Sequence, residues 1–311
     1  MWVPICWLGS SENVMLGELG LACGYLLWVG ELGFGGGSMT ENRITILHDS
    51  FGKPSALRKE WGFAALIEFN GQRLLFDTGN NARTFAENTA AMGVDLRHLD
   101  FAVISHRHGD HTSGLNHLLQ VHPEIAIYAP AETYGVFGSS LPGSFYPRCH
   151  TLPAHMQYYD GKPPETILHG SPWPDAKFVW IKQITEVAPG VCLIPVVSDT
   201  PGTRELPEIS LGLRTQRGLV VVAGCSHPGI ENMLAAARHI EERVFCIFGG
   251  LHLVLSKEQE IRRIAHALRH EWCVERIAPG HCTGEPAFAA LSEVFGERYV
   301  FAGLGDSIEL P

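Results

Sequence analysis

Seven consecutive residues, Ser105-His106-Arg107-His108-Gly109-Asp110-His111, carry three imidazoles and a carboxylate directly behind the apolar run Phe101–Ile104. Neutral imidazole and carboxylate are donors for zinc and other borderline divalent ions. His106 and His108 are two apart, a spacing that does not bring side chains together on a helix. At a strand end both can turn toward one point. Four ligands within six residues are too compact to wrap one ion, so two adjacent ions are the natural reading. Such a pair lowers the pKa of a bound water and polarises the electrophile's oxygen, so hydrolysis needs no separate nucleophile. Asp110, acidic and ligand-adjacent, is the candidate for orienting that water or shuttling a proton. A metal-bound hydroxide would then be the attacking group.

Three later turns share one build, an apolar run followed by glycine and histidine. Leu219–Ala223 leads into Gly224-Cys225-Ser226-His227-Pro228-Gly229, and Val244–Phe248 into Gly249-Gly250-Leu251-His252. Val274–Ala278 leads into Pro279-Gly280-His281-Cys282-Thr283-Gly284. Any one alone reads as a turn histidine; together they place His227, His252 and His281 where α/β sheets gather their sites. His252 either steadies a developing oxyanion or phosphate, or packs in its glycine turn. Asp77, after Leu74-Leu75-Phe76, could hold a ligand imidazole in the right tautomer. Cys225 reads either as a thiolate donor, which would favour zinc, or as a small buried hydrophobe. Lys53, Arg58 and Lys59 could receive a substrate phosphate or form a solvated loop.

The elements that must position these residues follow from periodicity. Further strands are expected at Ile44–Leu47, Phe63–Phe69, Arg73–Phe76, Ile125–Tyr128, Phe178–Ile181, Val191–Val197 and Ile209–Arg214. Helices are expected at Asn81–Met92, Gly114–Val121, Gly229–Arg243, Lys257–Arg269 and Glu285–Phe295. Hairpins joined to βα units predict a layered α/β domain over residues 39–311. Residues 141–174 break the rhythm with seven prolines among Phe145, Tyr146, Tyr158, Tyr159 and Trp173. They read as an ordered flap over the site or as a surface insertion. Residues 1–38 hold no Lys, Arg or His and end in Gly35-Gly36-Gly37-Ser38. They are read as a foreign or loosely packed extension with a flexible linker, and Met39 as a natural start.

The histidine loop, with Asp77-Thr78-Gly79 upstream and His281 downstream, resembles the metallo-β-lactamase superfamily. The resemblance implies a four-layer αββα sandwich, two mixed β-sheets with outer helices, and a dinuclear metal site. It implies that His106 and His108 bind one ion, while Asp110, His111 and His281 serve the other. Gly62-Phe63-Ala64-Ala65-Leu66-Ile67 and the later glycine turns are similar to a branch resembling 7,8-dihydropterin-6-methyl-4-(β-D-ribofuranosyl)aminobenzene-5′-phosphate synthase-like proteins. The chain also departs from the common pattern. Asp199 stands before Thr200-Pro201-Gly202 where many members have histidine, and Cys225 where many have a bridging aspartate. His227 is therefore the choice for the remaining imidazole ligand, with Cys225 or Asp199 replacing the bridge.

Composition narrows the class. Lys plus Arg total 23 against 33 Asp plus Glu, a net charge of −10, which argues against nucleic acid as partner. No apolar run reaches the roughly 18–20 residues of a membrane span. Eight cysteines in 311 residues are too few for a disulfide scaffold, and the chain is expected in the cytoplasm. The expectation is a hydrolase with two divalent ions, zinc first and Mn2+ or Fe2+ as alternatives, acting on a small ester, lactone or phosphoester. The alternatives are a transferase using a pterin diphosphate, and a metal-binding protein without turnover. The partner is a small-molecule substrate, and the sequence is compatible with a homo-oligomer.

Overall fold

The computed structural model describes residues 42–311 apart from 133–135, 138–139 and 169. The extension expected over residues 1–38, its linker and Met39 lie outside the described residues.

The chain begins with strands β1 (Arg43–His48), β2 (Ala64–Phe69) and β3 (Gln72–Phe76), then helix α1 (Ala82–Ala91) and β4 (Phe101–Val103). Helices α2 (Gly109–Thr112) and α3 (Leu115–Val121) precede β5 (Ala126–Pro130). A small hairpin, β6 (Ser140–Pro142) with β7 (Thr166–Leu168), interrupts before β8 (Lys177–Ile181) and β9 (Thr185–Ala188). The second half holds β10 (Val191–Val197), β11 (Pro207–Thr215), β12 (Gly218–Ala223), α4 (Ile230–Ala237) and β13 (Val244–Gly250). It closes with α5 (Glu258–His266), β14 (Arg276–Gly280), α6 (Glu285–Phe295) and β15 (Ser307–Glu309).

One sheet runs β15-β1-β2-β3-β4-β5-β8 and the other β14-β13-β12-β11-β10-β9. Both are mixed: β3, β4, β5 and β8 pair in parallel, as do β12, β13 and β14. Alternation of side chains sorts each strand between two cores. Ile67, Leu74, Phe76 and Val103 face the inter-sheet core with Leu211, Val220, Val222 and Phe248. Leu66, Leu75 and Ile104 face outward onto Phe85 and Leu118 of α1 and α3. Leu219, Val221 and Ile247 face outward onto Leu234, Ile264 and Leu291 of α4, α5 and α6. Strands covered on both faces read as unbroken apolar runs, as these do. The result is the four-layer αββα sandwich.

Several boundaries move. The helix expected at Gly229–Arg243 stops at Ala237, where His239 and Ile240 donate to Ala236 and Ala237 carbonyls and tighten the turn. The helix expected at Lys257–Arg269 ends at His266 and passes into a wider turn, Ala267–Glu271. Strands β6, β7, β9 and β15 were not expected.

Candidate metal centre

The parallel strands of both sheets end at one edge, where the chain leaves β3, β4, β12, β13 and β14 into the candidate loops. In the first half Asp77, buried at the end of β3, organises the histidine loop. Its Oδ1 accepts from Ser105 N and its Oδ2 from Ser105 Oγ, each at 2.7 Å. With its proton spent on Asp77, Ser105 Oγ accepts from His106 Nδ1 at 2.9 Å. His111 Nδ1 also donates to Asp77 Oδ2, at 2.7 Å. Nδ1 of each ring is thus engaged, which leaves Nε2 as the nitrogen available to a ligand. Thr78 N and Oγ1 donate to the His111 carbonyl and pin the loop from behind.

In the second half Glu208, fully buried at the start of β11, does the corresponding work. It accepts from three successive amides, Cys225, Ser226 and His227, at 2.7–2.8 Å. His227 Nδ1 donates to its Oε2 at 2.9 Å, so this ring too presents Nε2. Ser198 Oγ donates to the His227 carbonyl. Gly224 lets the halves touch, since a Cβ there would lie 2.2 Å from Ser105 Oγ and 2.9 Å from Asp77 Oδ2. Four residues of the site, Asp77, Ser226, His252 and His281, hold φ of 46–68°. Such backbone costs about 1–3 kcal/mol each and persists where surroundings enforce it.

Four donor groups result, each with ligand atoms within 4.8 Å of one another. They are His106/His108/His227, Asp110/His111/His281, His106/His111/Cys225 and Cys225/His252/Cys282. His106 Nε2 lies 3.1 Å from His108 Nδ1, and His111 Nε2 lies 3.3 Å from Cys225 Sγ. Burial and the neighbouring histidine charges hold His106 well below the usual imidazole range and push His108 down to about 4. Both are therefore neutral bases, the form that coordinates metal. Burial opposes charge on His111, but the Asp77 carboxylate prevails and lifts it to about 9, so an ion binding there displaces a proton from Nε2. Burial would raise Asp110, yet the adjacent His281 and His111 rings hold its carboxyl well below the usual range. His281 Nε2 lies 3.4 Å from Asp110 Oδ2, and neither nitrogen of this buried ring completes a hydrogen bond; an ion coordinated by one of them would satisfy that nitrogen. The donor types, the bare nitrogens and these orphans fit divalent metal.

The structure brings together His106, His108, Asp110, His111, His227, His281, Cys225 and His252. It does not bring Asp199, which is exposed in the turn after β10. Lys53, Arg58 and Lys59 are spent on Asp306, Glu87 and the Gly52 carbonyl. Of the insertion's aromatics, Trp173 is buried against the outer helical layer and donates to Asn116. Tyr146 meets Phe145 and Tyr158 edge to face, with ring centroids 5.1 Å apart in each pair.

Sequence reasoning missed four residues. They are Glu208, Cys282, Asp49 and Trp61. Asp49 accepts from His281 N at 3.0 Å, and burial pushes it up to about 7. Trp61 donates from Nε1 to Asp110 Oδ2 at 3.0 Å, with its ring 5.0 Å from that of His281. Cys282 alone had a signal, its place beside His281.

Residues 72–165 match the family described as the beta-lactamase superfamily domain. The chain is 28% identical over 283 residues to 7,8-dihydropterin-6-methyl-4-(beta-D-ribofuranosyl)-aminobenzene-5′-phosphate synthase of Methanocaldococcus jannaschii, covering 82% of this chain and 92% of that protein. It is similar in structure to a metal-dependent hydrolase of the beta-lactamase superfamily, with TM-score 0.64 and 27% identity over 86% of this chain and 99% of that one. The metallo-beta-lactamase fold protein YhfI from Bacillus subtilis matches in fold, with TM-score 0.54 and 13% identity over 87% and 99% of the two chains. With its αββα sandwich and its histidine loop, the chain has the fold of the metallo-β-lactamase superfamily and is similar to its members.

Proposed function

We propose that the chain is a hydrolase with two divalent ions, zinc by donor type, acting on a small ester, lactone or phosphoester. The observation that carries this reading is the pair of three-donor groups, His106/His108/His227 and Asp110/His111/His281, meeting at one sheet edge. His106, His108 and His227 would hold one ion, and Asp110, His111 and His281 the other, with Cys225 between them. When bound, such ions lower the pKa of water and polarise the substrate's oxygen. Asp77, Ser105 and Glu208 keep the rings aimed. Asp110, an ionised carboxylate with its side chain 23% exposed, can accept a hydrogen bond from a water beside the substrate and orient it, and Trp61 fixes its carboxylate.

A second reading, transfer onto a pterin diphosphate, is supported by the similarity to the Methanocaldococcus jannaschii synthase. It is supported also by Trp61, whose 45% exposed indole at the site can stack on a planar ring. Metal-quantified protein assayed on p-nitrophenyl ester, phosphodiester and lactone panels tests the first reading. Diphosphate release with a pterin diphosphate and the aminobenzene ribose phosphate tests the second. Chelator-sensitive turnover on a panel substrate supports the hydrolase; turnover indifferent to chelation overturns both readings.

A further inference from the structure

Beside the histidine groups stands a sulfur-rich trio. Cys225 Sγ lies 3.3 Å from Cys282 Sγ, and a ring nitrogen of His252 lies within 4.8 Å of both. Both cysteines are free and nearly sealed from solvent, at 3% and 2% exposure. They come from the turns after β12 and β14, and His252 from the turn after β13, so three neighbouring strands aim one donor each at one place. The local backbone is shaped for this contact. Gly250 leaves room for Cys282, since a Cβ there would lie 2.8 Å from that sulfur. His252 sits at φ 51° with its Nδ1 buried and without a hydrogen-bond partner.

We propose that Cys225, Cys282 and His252 form a further metal site, for one thiophilic divalent ion of the zinc or cadmium kind. Thiolate and imidazole are the soft donors such ions select. Bonds of about 2.3 Å in tetrahedral array set two sulfurs roughly 3.8 Å apart, so the pair opens by only about 0.5 Å to admit an ion. A disulfide at about 2.05 Å would need a closure more than twice as large. The exchange is balanced without an oxidant: each thiol gives up its proton as its sulfur binds, and two thiolates neutralise the divalent charge. His252 thereby serves as a ligand rather than as an oxyanion stabiliser. Because Cys225 also faces His106 and His111, the new site shares a sulfur with the histidine centre. The site does not depend on the hydrolase reading, and its test reads metal–sulfur bonding rather than turnover.

The full chain, stripped of metal and reduced, is titrated with Co2+ alone. A thiolate-to-cobalt charge-transfer band in the near ultraviolet is expected in the unaltered protein. Cys282→Ser should remove at least half of that band and weaken binding of that ion at least tenfold, while His106→Ala should keep the band. A Cys282→Ser protein with the full band, or a band lost with His106→Ala, overturns the site and leaves Cys225 as a ligand of the histidine centre alone. X-ray absorption at the zinc edge on the unaltered, zinc-loaded chain needs no variant. A sulfur shell near about 2.3 Å is expected, and its absence overturns the proposal.

Discussion

Each half of the sandwich has a buried carboxylate that aims ligand imidazoles at the candidate metal centre, Asp77 in the first and Glu208 in the second, and the two work on different material. Asp77 sits at the end of a parallel strand and governs a contiguous loop, holding His111 directly and His106 through Ser105. Glu208 starts an antiparallel strand and governs a turn mainly through its backbone, gathering three amides and one imidazole. Asp77 therefore touches both three-donor groups, whereas Glu208 touches only the group containing His227. A short motif can concentrate its donors under one anchor. Donors scattered over several strand ends need an anchor for the backbone that carries them.

The largest effect tests whether the anchored donors matter at all. His108→Ala and Asp110→Ala, each removing a donor, should cut turnover on any substrate found by about a thousandfold or more, since metal supplies several kcal/mol to such reactions. Circular dichroism should stay close to that of the parent. Normal rates in either variant would break the assignment of both groups. Next come the anchors themselves. Asp77→Asn should weaken both metals by about 10–100-fold, the usual effect of removing a partner of a ligand histidine. Glu208→Gln should weaken only one, so isothermal titration with zinc separates the two carboxylates. Equal losses at both ions in both variants would erase the distinction.

A smaller effect reads the seam where the halves meet. Gly224→Ala drives a methyl into Ser105 and should cost about 1–3 kcal/mol, seen as a thermal midpoint lowered by roughly 2–12 °C for a domain of this size. An unchanged midpoint would mean that the halves are not tightly apposed there. The smallest effect belongs to the insertion. Tyr158→Ala, at a side chain 70% exposed, should change stability by less than about 0.5 kcal/mol. A large rise in KM would instead give this segment the role of a cover over the site.

The same contrast explains what could be read in advance. Strand β10 and helix α6 have the boundaries expected of them, because an apolar strand run and a clean helical period announce themselves locally. Strands β9 and β15 went unseen because Thr185-Glu186 and Ser307-Ile308-Glu309 carry too little apolar pattern. Their neighbours' open edges, rather than their own residues, make them strands. The histidine loop was legible because its donors are adjacent in sequence. Glu208 was not: a glutamate following a proline at the start of an apolar run looks like a surface charge until the fold lays three amides over it. Asp199 was chosen by correspondence with a family pattern, and its exposure shows that Ser198, one residue earlier, turns inward instead.

The pairing of β1 with β15 has a consequence for biosynthesis. Thr45 and Ser307 meet across a separation of 262 residues, and Leu310 N donates to the Asn42 carbonyl beside them. As the chain leaves the ribosome, β1, β2 and β3 can pair early, but among the described residues the outer side of β1 has no partner until nearly everything else has been made. An unpaired strand edge invites pairing with other chains. Throughout translation the nascent protein therefore carries a sticky border, and a ribosome stalled before residue 307 would release a product with that border permanently open.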